Sequence, residues 1–180
     1  ARIGNLRYFE SLPETRQEID NISIFFKDEP VMALIGSHAT ESKLKKTDLS
    51  SYSVLHFATH GILGDDLPMV SEPALVMSHE SGEDGFLTAR EAADLDLDAE
   101  LTILSACNTG TGEYFVGEGL MSLSRSFLLA GSRKAIVSLW AVKSEATMNL
   151  MTAFYKHYKS GLEPYQALRE AKLDMMDLPD

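Results

Sequence analysis

Two short apolar runs of this chain each end in a side chain that can take part in covalent catalysis. One run leads from Val54 to His60, and the other leads from Leu101 to Cys107, the only cysteine among the 180 residues. Each run is typical of a buried strand that ends in a glycine-containing loop. Neighbouring strands lie about 4.8 Å apart, so parallel pairing of the two runs would bring an imidazole within reach of a thiol. A cysteine nucleophile and its general base need at least these two groups.

The imidazole of His60 and the thiol of Cys107 would share the work of acyl transfer. An ordinary thiol has a pKa of about 8.5 and is mostly protonated at neutral pH, so an adjacent imidazole raises the thiolate fraction and later protonates the leaving amine. The backbone N–H groups of Gly61 and Cys107 are suited to stabilise the oxyanion, each worth about 10²–10³ in rate. A single cysteine at the end of a strand is commonly a small buried apolar residue that takes no part in chemistry. The spacing between His60 and Cys107 does not by itself decide between this alternative and a nucleophile.

The elements that must position these groups alternate between strands and helices. Helices are predicted at about 15–26, from residue 41, at 88–93, at about 120–128, at 144–161 and at 164–176, with N-caps at Thr15, Thr40, Thr88 and Ser144. Strands are predicted at 31–35, 53–58, 101–106 and 135–140, with a small hairpin formed by 74–77 and 86–88. This alternation is typical of a mostly parallel sheet covered by helices on both faces. The active site of such a sheet lies at the carboxyl ends of its strands, where His60 and Cys107 fall.

Composition narrows the classes of protein that the chain can be. Hydrophobic residues make up 44% and charged residues 24% of the chain, which is typical of a globular protein, and the length predicts a single domain over 1–180. The net charge of −11 would repel a nucleic acid backbone and an anionic membrane surface, so neither is an expected partner. One cysteine cannot form an internal disulfide and the first residues lack a signal-peptide core, so we expect a cytoplasmic protein.

No metal or cofactor is expected. A single cysteine with scattered histidines lacks the paired spacing of metal ligands. His56, in the middle of the first apolar run, is interpreted as a core histidine bonded to a backbone carbonyl.

Several blocks of the sequence resemble the CHAT domain, a caspase-like family of cysteine peptidases that is related to caspases and separases and often attached to tetratricopeptide repeats. The most specific blocks are V-L-H-F-A-T-H-G at 54–61 and L-S-A-C-N-T-G at 104–110, and shorter blocks lie at 12–16, 85–89, 124–131, 137–140, 154–155 and 167–169. The caspase signature likewise has its histidine about 50 residues before its cysteine. The resemblance implies a caspase-like three-layer α/β/α sandwich with a mostly parallel central sheet and a small hairpin excursion.

The resemblance also implies roles for individual residues. The catalytic histidine of the family falls on His60, its nucleophile on Cys107 and its oxyanion donor on Gly61, and the family's dyad requires no orienting aspartate. Position 108 is often acidic in the family and is asparagine here. The family module usually has a further strand before residue 1 and an aromatic-rich strand after the last helix, and this sequence contains neither.

The resulting hypothesis is a cysteine endopeptidase that cleaves protein substrates through an acyl-thioester. Tetratricopeptide repeats in a parent chain or partner would recognise proteins and control the site. The pocket for the residue before the scissile bond is expected near Asp65, Asp66, Ser105, Ser138 and Trp140, and its acidic groups could favour a basic residue. A caspase-like module that docks partners without cleaving them is the alternative, and another thiol acyl-transfer enzyme is a third reading.

Overall fold

The computed structural model describes residues 9, 12–62, 70–108, 116–138 and 142–176, with side chains for all of these except 106–108 and 116–120. The chain divides into two compact units. The first contains Ala1–Ser11 and Leu34–Ala141, and the second contains Leu12–Ala33 and Val142–Asp180. All the strands described belong to the first unit.

The first unit is built on a five-stranded open sheet. Its strands are β1 (Val54–Ile62), β2 (Ala74–Val76), β3 (Phe86–Thr88), β4 (Leu101–Asn108) and β5 (Ala135–Val137), in the spatial order β3-β2-β1-β4-β5. β4 pairs in parallel with both β1 and β5, whereas β2 is antiparallel to β1 and to β3. Four strands therefore share one direction. The predicted mixed α/β fold, with a mostly parallel sheet and a hairpin at its edge, is confirmed.

The central position of β4 explains its apolar sequence. Ile103 and Leu104 point to opposite faces of the sheet, and each is only 1% exposed. A strand buried on both faces reads as a continuous apolar run rather than an alternating one. Leu104 faces a hydrophobic core that also contains Leu55, Phe57, Leu123 and Phe127.

Helices α3 (Ala89–Ala93) and α4 (Val116–Leu129) contribute to that core. Thr88 is the N-cap of α3, as predicted, and it forms a complete capping box with Glu91. The rings of Phe57 and Phe127 lie 5.0 Å apart and join β1 to α4. Gly131, with a φ of +116°, ends the turn that follows α4 in a conformation that favours glycine.

The second unit is helical. It contains α1 (Pro13–Ser23), a 3₁₀ turn at Ile24–Phe26, α5 (Ser144–Lys159) and α6 (Pro164–Met176). Tyr155 of α5 is 1% exposed and packs edge-on against Phe26 and Phe154. Burial, and then the nearby charge of Glu18, raise the pKa of Tyr155 well above its usual value. Among the described residues, no helix combines the length and the apolar character that a membrane span needs.

One predicted strand is wrong. Residues 31–35 form no regular strand, and Val31 and Met32 are about half exposed, at 52% and 49%. The run lies across the division between the two units, which falls between Ala33 and Leu34. Apolar composition favours burial, but a strand also needs a neighbouring strand to take its backbone hydrogen bonds.

Two predicted helix caps are also wrong. Helix α1 begins at Pro13, and the Thr15 hydroxyl donates a hydrogen bond to the carbonyl of Leu12 instead of accepting one as an N-cap. Proline is well suited to the first helical position, so it moves the start of the helix forward. Ser144 is the first residue of α5 and its N-cap is Lys143, whereas Thr40 caps α2 (Glu41–Lys46) as predicted.

Candidate functional site

The carboxyl ends of β1 and β4 bring the two predicted catalytic positions together. His60 is the register partner of Cys107, and Gly61 is the partner of Asn108. The sequence prediction that the two runs are adjacent parallel strands is therefore confirmed. Positions that are partners on neighbouring strands share a face of the sheet. The structure describes the backbone of Cys107 but not its side chain.

The hairpin extends β1 beyond its predicted end. The prediction placed that end at residue 58, but the strand continues to Ile62 because β2 pairs with Gly61 and Ile62. Just before this pairing begins, the Thr59 hydroxyl donates a 2.6 Å hydrogen bond to the carbonyl of Val76. Gly61 consequently lies within a strand, between β2 and β4, rather than in the loop that the sequence suggested.

His60 is buried and its ring contacts an aromatic side chain. It is 6% exposed, and its ring lies 5.3 Å from the ring of Phe9, tilted by 37°. Phe9 also contacts Phe86 of β3, with ring centroids 6.3 Å apart. It packs on a hairpin-side cluster, which we define by Ile62, Val70, Ala74, Val76 and Phe86. Sequence reasoning missed Phe9, because nothing in its local spacing indicates a contact with a residue 51 positions later.

Ser105, a residue of the predicted substrate pocket, lies on β4. It pairs with Ala58, two positions before His60, and therefore belongs to the same face of the sheet as His60. It is 6% exposed, and its hydroxyl oxygen has no hydrogen-bond partner in the described part of the chain. Buried hydroxyls are usually hydrogen-bonded, so Ser105 has capacity to bind an incoming polar group.

Of the other predicted pocket residues, the structure describes only Ser138. Ser138 follows directly after β5 and is half-buried. Asp65, Asp66 and Trp140 lie outside the described residues. The structure therefore brings together His60, the position of Cys107, Gly61 and Ser105, and leaves the composition of the pocket walls as a prediction.

Three carboxylates in the first unit have the spacing of a metal site. Oxygen atoms of Glu41, Glu83 and Glu91 lie within 4.8 Å of one another. The ammonium of Lys45, however, donates to all three, at 3.0 Å to Glu41, 3.2 Å to Glu83 and 2.8 Å to Glu91. Lys45 supplies the positive charge that a metal ion would supply, so these residues form a structural ion network.

The ionisation of this Lys45 network follows from burial and hydrogen bonding. Burial raises the pKa of Glu41, although hydrogen bonds from Lys45 and the Gly85 backbone N–H oppose the shift. Burial would also raise the pKa of Glu91, but the hydrogen bond from Lys45 and those from Thr88 lower it overall. Burial would lower the pKa of Lys45, and its three carboxylate partners raise it well above the usual value. The i,i+4 spacing of Glu41 and Lys45 is visible in the sequence, but the other two partners are not.

A shallow surface cavity of about 350 Å³ lies beside the start of α2. Its lining is polar and mostly exposed, and consists of Ser37, His38, Thr40, Ser42, Lys43, Lys46, His79 and Glu80. None of the predicted catalytic or substrate-binding residues belongs to it. We do not assign it a role in the chemistry of His60.

Comparisons with known proteins agree with the resemblance seen in the sequence. A family model described as the CHAT domain matches residues 2–180. Tetratricopeptide repeat protein 28 of Homo sapiens is 26% identical over 191 residues, covering 89% of this chain. The mouse protein of the same name is 36% identical over 85 residues, covering 47% of this chain. The aligned regions amount to 8% of the human protein and 3% of the mouse protein.

Proposed function

The chain belongs to the CHAT domain family, and from that premise we propose that it is a cysteine endopeptidase in which His60 and Cys107 form a catalytic dyad. The observation that carries the proposal is the register of β1 and β4, in which these two residues are direct partners. Two residues that far apart in the sequence need a specific strand arrangement to become neighbours. The caspase-like character of the family supports the assignment of an acyl-transfer reaction to this pair.

The proposed reaction begins with proton transfer from the Cys107 thiol to the His60 imidazole. The thiolate attacks the carbonyl carbon of the scissile peptide bond, and the negative charge develops on the carbonyl oxygen. The backbone N–H of Cys107 is the proposed donor to that oxygen, whereas the backbone of Gly61 lies between the paired strands β2 and β4 and is not assigned this role. The tetrahedral intermediate breaks its C–N bond while His60 gives its proton to the leaving amine, which leaves an acyl-thioester on Cys107. His60 then takes a proton from a water molecule, and the hydroxide attacks the acyl carbon. The C–S bond breaks, which releases the carboxylic acid product and restores the Cys107 thiolate beside the protonated His60.

The proposed substrate pocket combines Ser105 with the loops that follow the strands. The buried Ser105 hydroxyl, which has no hydrogen-bond partner among the described residues, would bind a polar group of the substrate. In this proposal Asp65 and Asp66 would favour a basic residue before the scissile bond through their negative charge, and Ser138 and Trp140 would complete the lining. The reaction requires no cofactor or metal, because the thiolate and imidazole carry the covalent and proton-transfer steps.

Partners of the proposed enzyme would be proteins or peptides. Both relatives are named as tetratricopeptide repeat proteins and are far longer than this chain. We therefore place such repeats in a parent chain or in a partner, where they would bind proteins and control access to the dyad. The acidic balance of the chain, at −11, disfavours direct binding of nucleic acid or an anionic membrane. We also propose that the protein is located in the cytoplasm.

A peptide-library cleavage assay tests the proposed function. The chain and its parent protein would be incubated with the library, and new amino termini would be identified by mass spectrometry. We expect cleavage by the wild type and by His38→Asn, which alters an exposed histidine, and loss of cleavage in Cys107→Ala and His60→Asn. Cleavage that persists in Cys107→Ala would contradict the proposal.

A docking module that does not cleave is the second candidate. The deep burial of His60, at 6% exposed, favours it, because a catalytic base must meet its substrate. This function predicts that a partner protein stays intact during long incubation and co-elutes with the chain in size-exclusion chromatography. It also predicts that Cys107→Ala binds the same partner with unchanged affinity.

A further inference from the structure

We propose that Phe9 is a positioning residue that directs the imidazole of His60 towards strand β4, which carries Cys107. The inference deepens the proposed function and rests on it for its catalytic consequence. Its structural part concerns only Phe9, His60 and the hairpin, and it can be tested whether or not the chain cleaves peptides. The two rings lie 5.3 Å apart with an angle of 37° between their planes.

The position of Phe9 follows from the faces of the strands. Strand register places Val76 and Phe86 side by side, and Ile62 opposite Ala74. Residues of alternate number share a face, so the hairpin-side cluster and His60 lie on the same face of the sheet. Phe9 contacts both His60 of β1 and Phe86 of β3, and it therefore spans the face of the short strand β2 between them.

This placement restricts the directions available to the His60 ring. A side chain on β1 can lean towards β2 on one side or towards β4 on the other, depending on its χ1 rotamer. Phe9 and the hairpin-side cluster occupy the space on the β2 side. The β4 side carries Cys107, the register partner of His60. Phe9 therefore favours the rotamer that directs the imidazole towards the proposed nucleophile.

The ring of Phe9 offers more than apolar volume. Aromatic rings at this separation contact each other with a preferred tilt, which restricts rotation of the imidazole as well as its lean. Proton transfer between His60 and Cys107 depends on that orientation, and a misplacement of about 1 Å can cost about 10²-fold in rate. A flat side chain at position 9 should therefore support the reaction better than a branched aliphatic one of similar size.

The structural test measures the χ1 rotamer of His60 in isotope-labelled protein. Three-bond coupling constants between the His60 backbone and its Cγ report which rotamers are populated. We expect one rotamer in the wild type and in Phe9→Tyr, and rotamer averaging in Phe9→Ala. Val70→Ala is the matched control, because it removes packing from the same cluster without removing a ring contact to His60. Averaging in Val70→Ala equal to that in Phe9→Ala would show general loosening of the cluster and would overturn the proposal.

The functional test measures labelling of Cys107 by a peptidyl electrophile in the same four proteins and in Phe9→Leu. We expect the second-order rate constant to fall about tenfold in Phe9→Ala, about threefold in Phe9→Leu and less than twofold in Phe9→Tyr and Val70→Ala. Equal rates in Phe9→Leu and wild type would overturn the role of the ring.

The two measurements separate failure of this inference from failure of the proposed function. If Cys107 of the wild type reacts no faster than a free thiol, the proposed function fails, while the coupling constants still decide whether Phe9 sets the His60 rotamer. If the wild type reacts rapidly and Phe9→Ala keeps both its rate and its single rotamer, the positioning role fails and the dyad stands.

Discussion

Replacement of Lys45 by methionine should destabilise the first unit far more than replacement of its neighbour Lys43. Lys45 donates to three carboxylates, of which Glu41 is the deepest, with a side chain only 1% exposed. Methionine keeps most of the side-chain length but removes the charge, so the carboxylate of Glu41 loses its ionic partner. Lys43 lies on the same helix, is exposed and forms no ion pair with any described residue.

The loss of folding stability in Lys45→Met depends mainly on Glu41. The side chains of Glu83 and Glu91 are 29% and 36% exposed, so solvent screens their pairs with Lys45 and each contributes about 0–1 kcal/mol. Removal of one partner from a buried pair costs about 3–5 kcal/mol, because a buried charge remains uncompensated. Glu41 still accepts a 2.7 Å hydrogen bond from the Gly85 N–H, which favours the lower end of that range. We expect a loss of about 3 kcal/mol for Lys45→Met and less than about 0.5 kcal/mol for Lys43→Met.

The pH dependence of the Lys45→Met effect has a definite sign. Burial raises the pKa of Glu41 above 4.5 in the folded state, and loss of Lys45 raises that pKa further. Protonation therefore favours the folded variant as the pH falls through the folded pKa of Glu41 towards 4.5. The wild type meanwhile loses the stabilisation from Glu91, whose folded pKa is lowered and whose contribution disappears as the pH falls through it. The difference in stability should therefore narrow on acidification.

Urea denaturation followed by far-ultraviolet circular dichroism would measure these differences. The free energy of unfolding would be compared for wild type, Lys45→Met and Lys43→Met at neutral pH and near pH 4.5. Equal stabilities for the two methionine variants would refute the reasoning, because they would mean that the ion network contributes nothing. A difference that widens on acidification would refute the assignment of the effect to an ionised Glu41.

Two further predictions concern packing and backbone geometry. Phe127→Ala, at a site with no exposure, should lower the free energy of unfolding by about 3–5 kcal/mol, whereas Leu129→Ala, at 80% exposure, should change it by less than about 0.5 kcal/mol in the same denaturation assay. Gly131→Ala should prevent stable folding, because a Cβ there would lie 1.9 Å from the carbonyl oxygen of Leu97. Gly161→Ala shares a positive φ but has open space, so it should lose only about 1 kcal/mol by thermal melting.

The pairing of β1 with β4 could be predicted from the sequence because its signals are local. The apolar runs that lead to His60 and Cys107 indicate central strands, and alternation with helices indicates parallel pairing. The register that makes the two residues direct partners is added by the structure. The hairpin could also be predicted, because Gly82 and Gly85 lie between two short apolar runs. Both glycines adopt a positive φ in the structure.

The features that could not be predicted depend on contacts between distant parts of the chain. Residues 31–35 have the composition of a strand, but none of the strands in the described part of the chain includes them or pairs with them. The extension of β1 to Ile62 needs β2 beside it, and the contact of Phe9 with His60 needs the whole hairpin. Lys45 forms its ion pair with Glu83 only because the tertiary fold brings these two distant residues together. Periodicity indicates burial and element type, but it contains no information about such pairs.

The dyad itself is tested most directly by the alkylation rate of Cys107 with iodoacetamide, followed by intact-protein mass spectrometry. The chain has a single cysteine, so one mass shift reports one site. We predict that His60→Asn slows alkylation at neutral pH by about tenfold or more, because the imidazole no longer promotes the thiolate. His56→Asn, four residues earlier on the same strand, should leave the rate unchanged. Equal rates for His60→Asn and wild type, with both proteins folded, would contradict the pairing of His60 with Cys107.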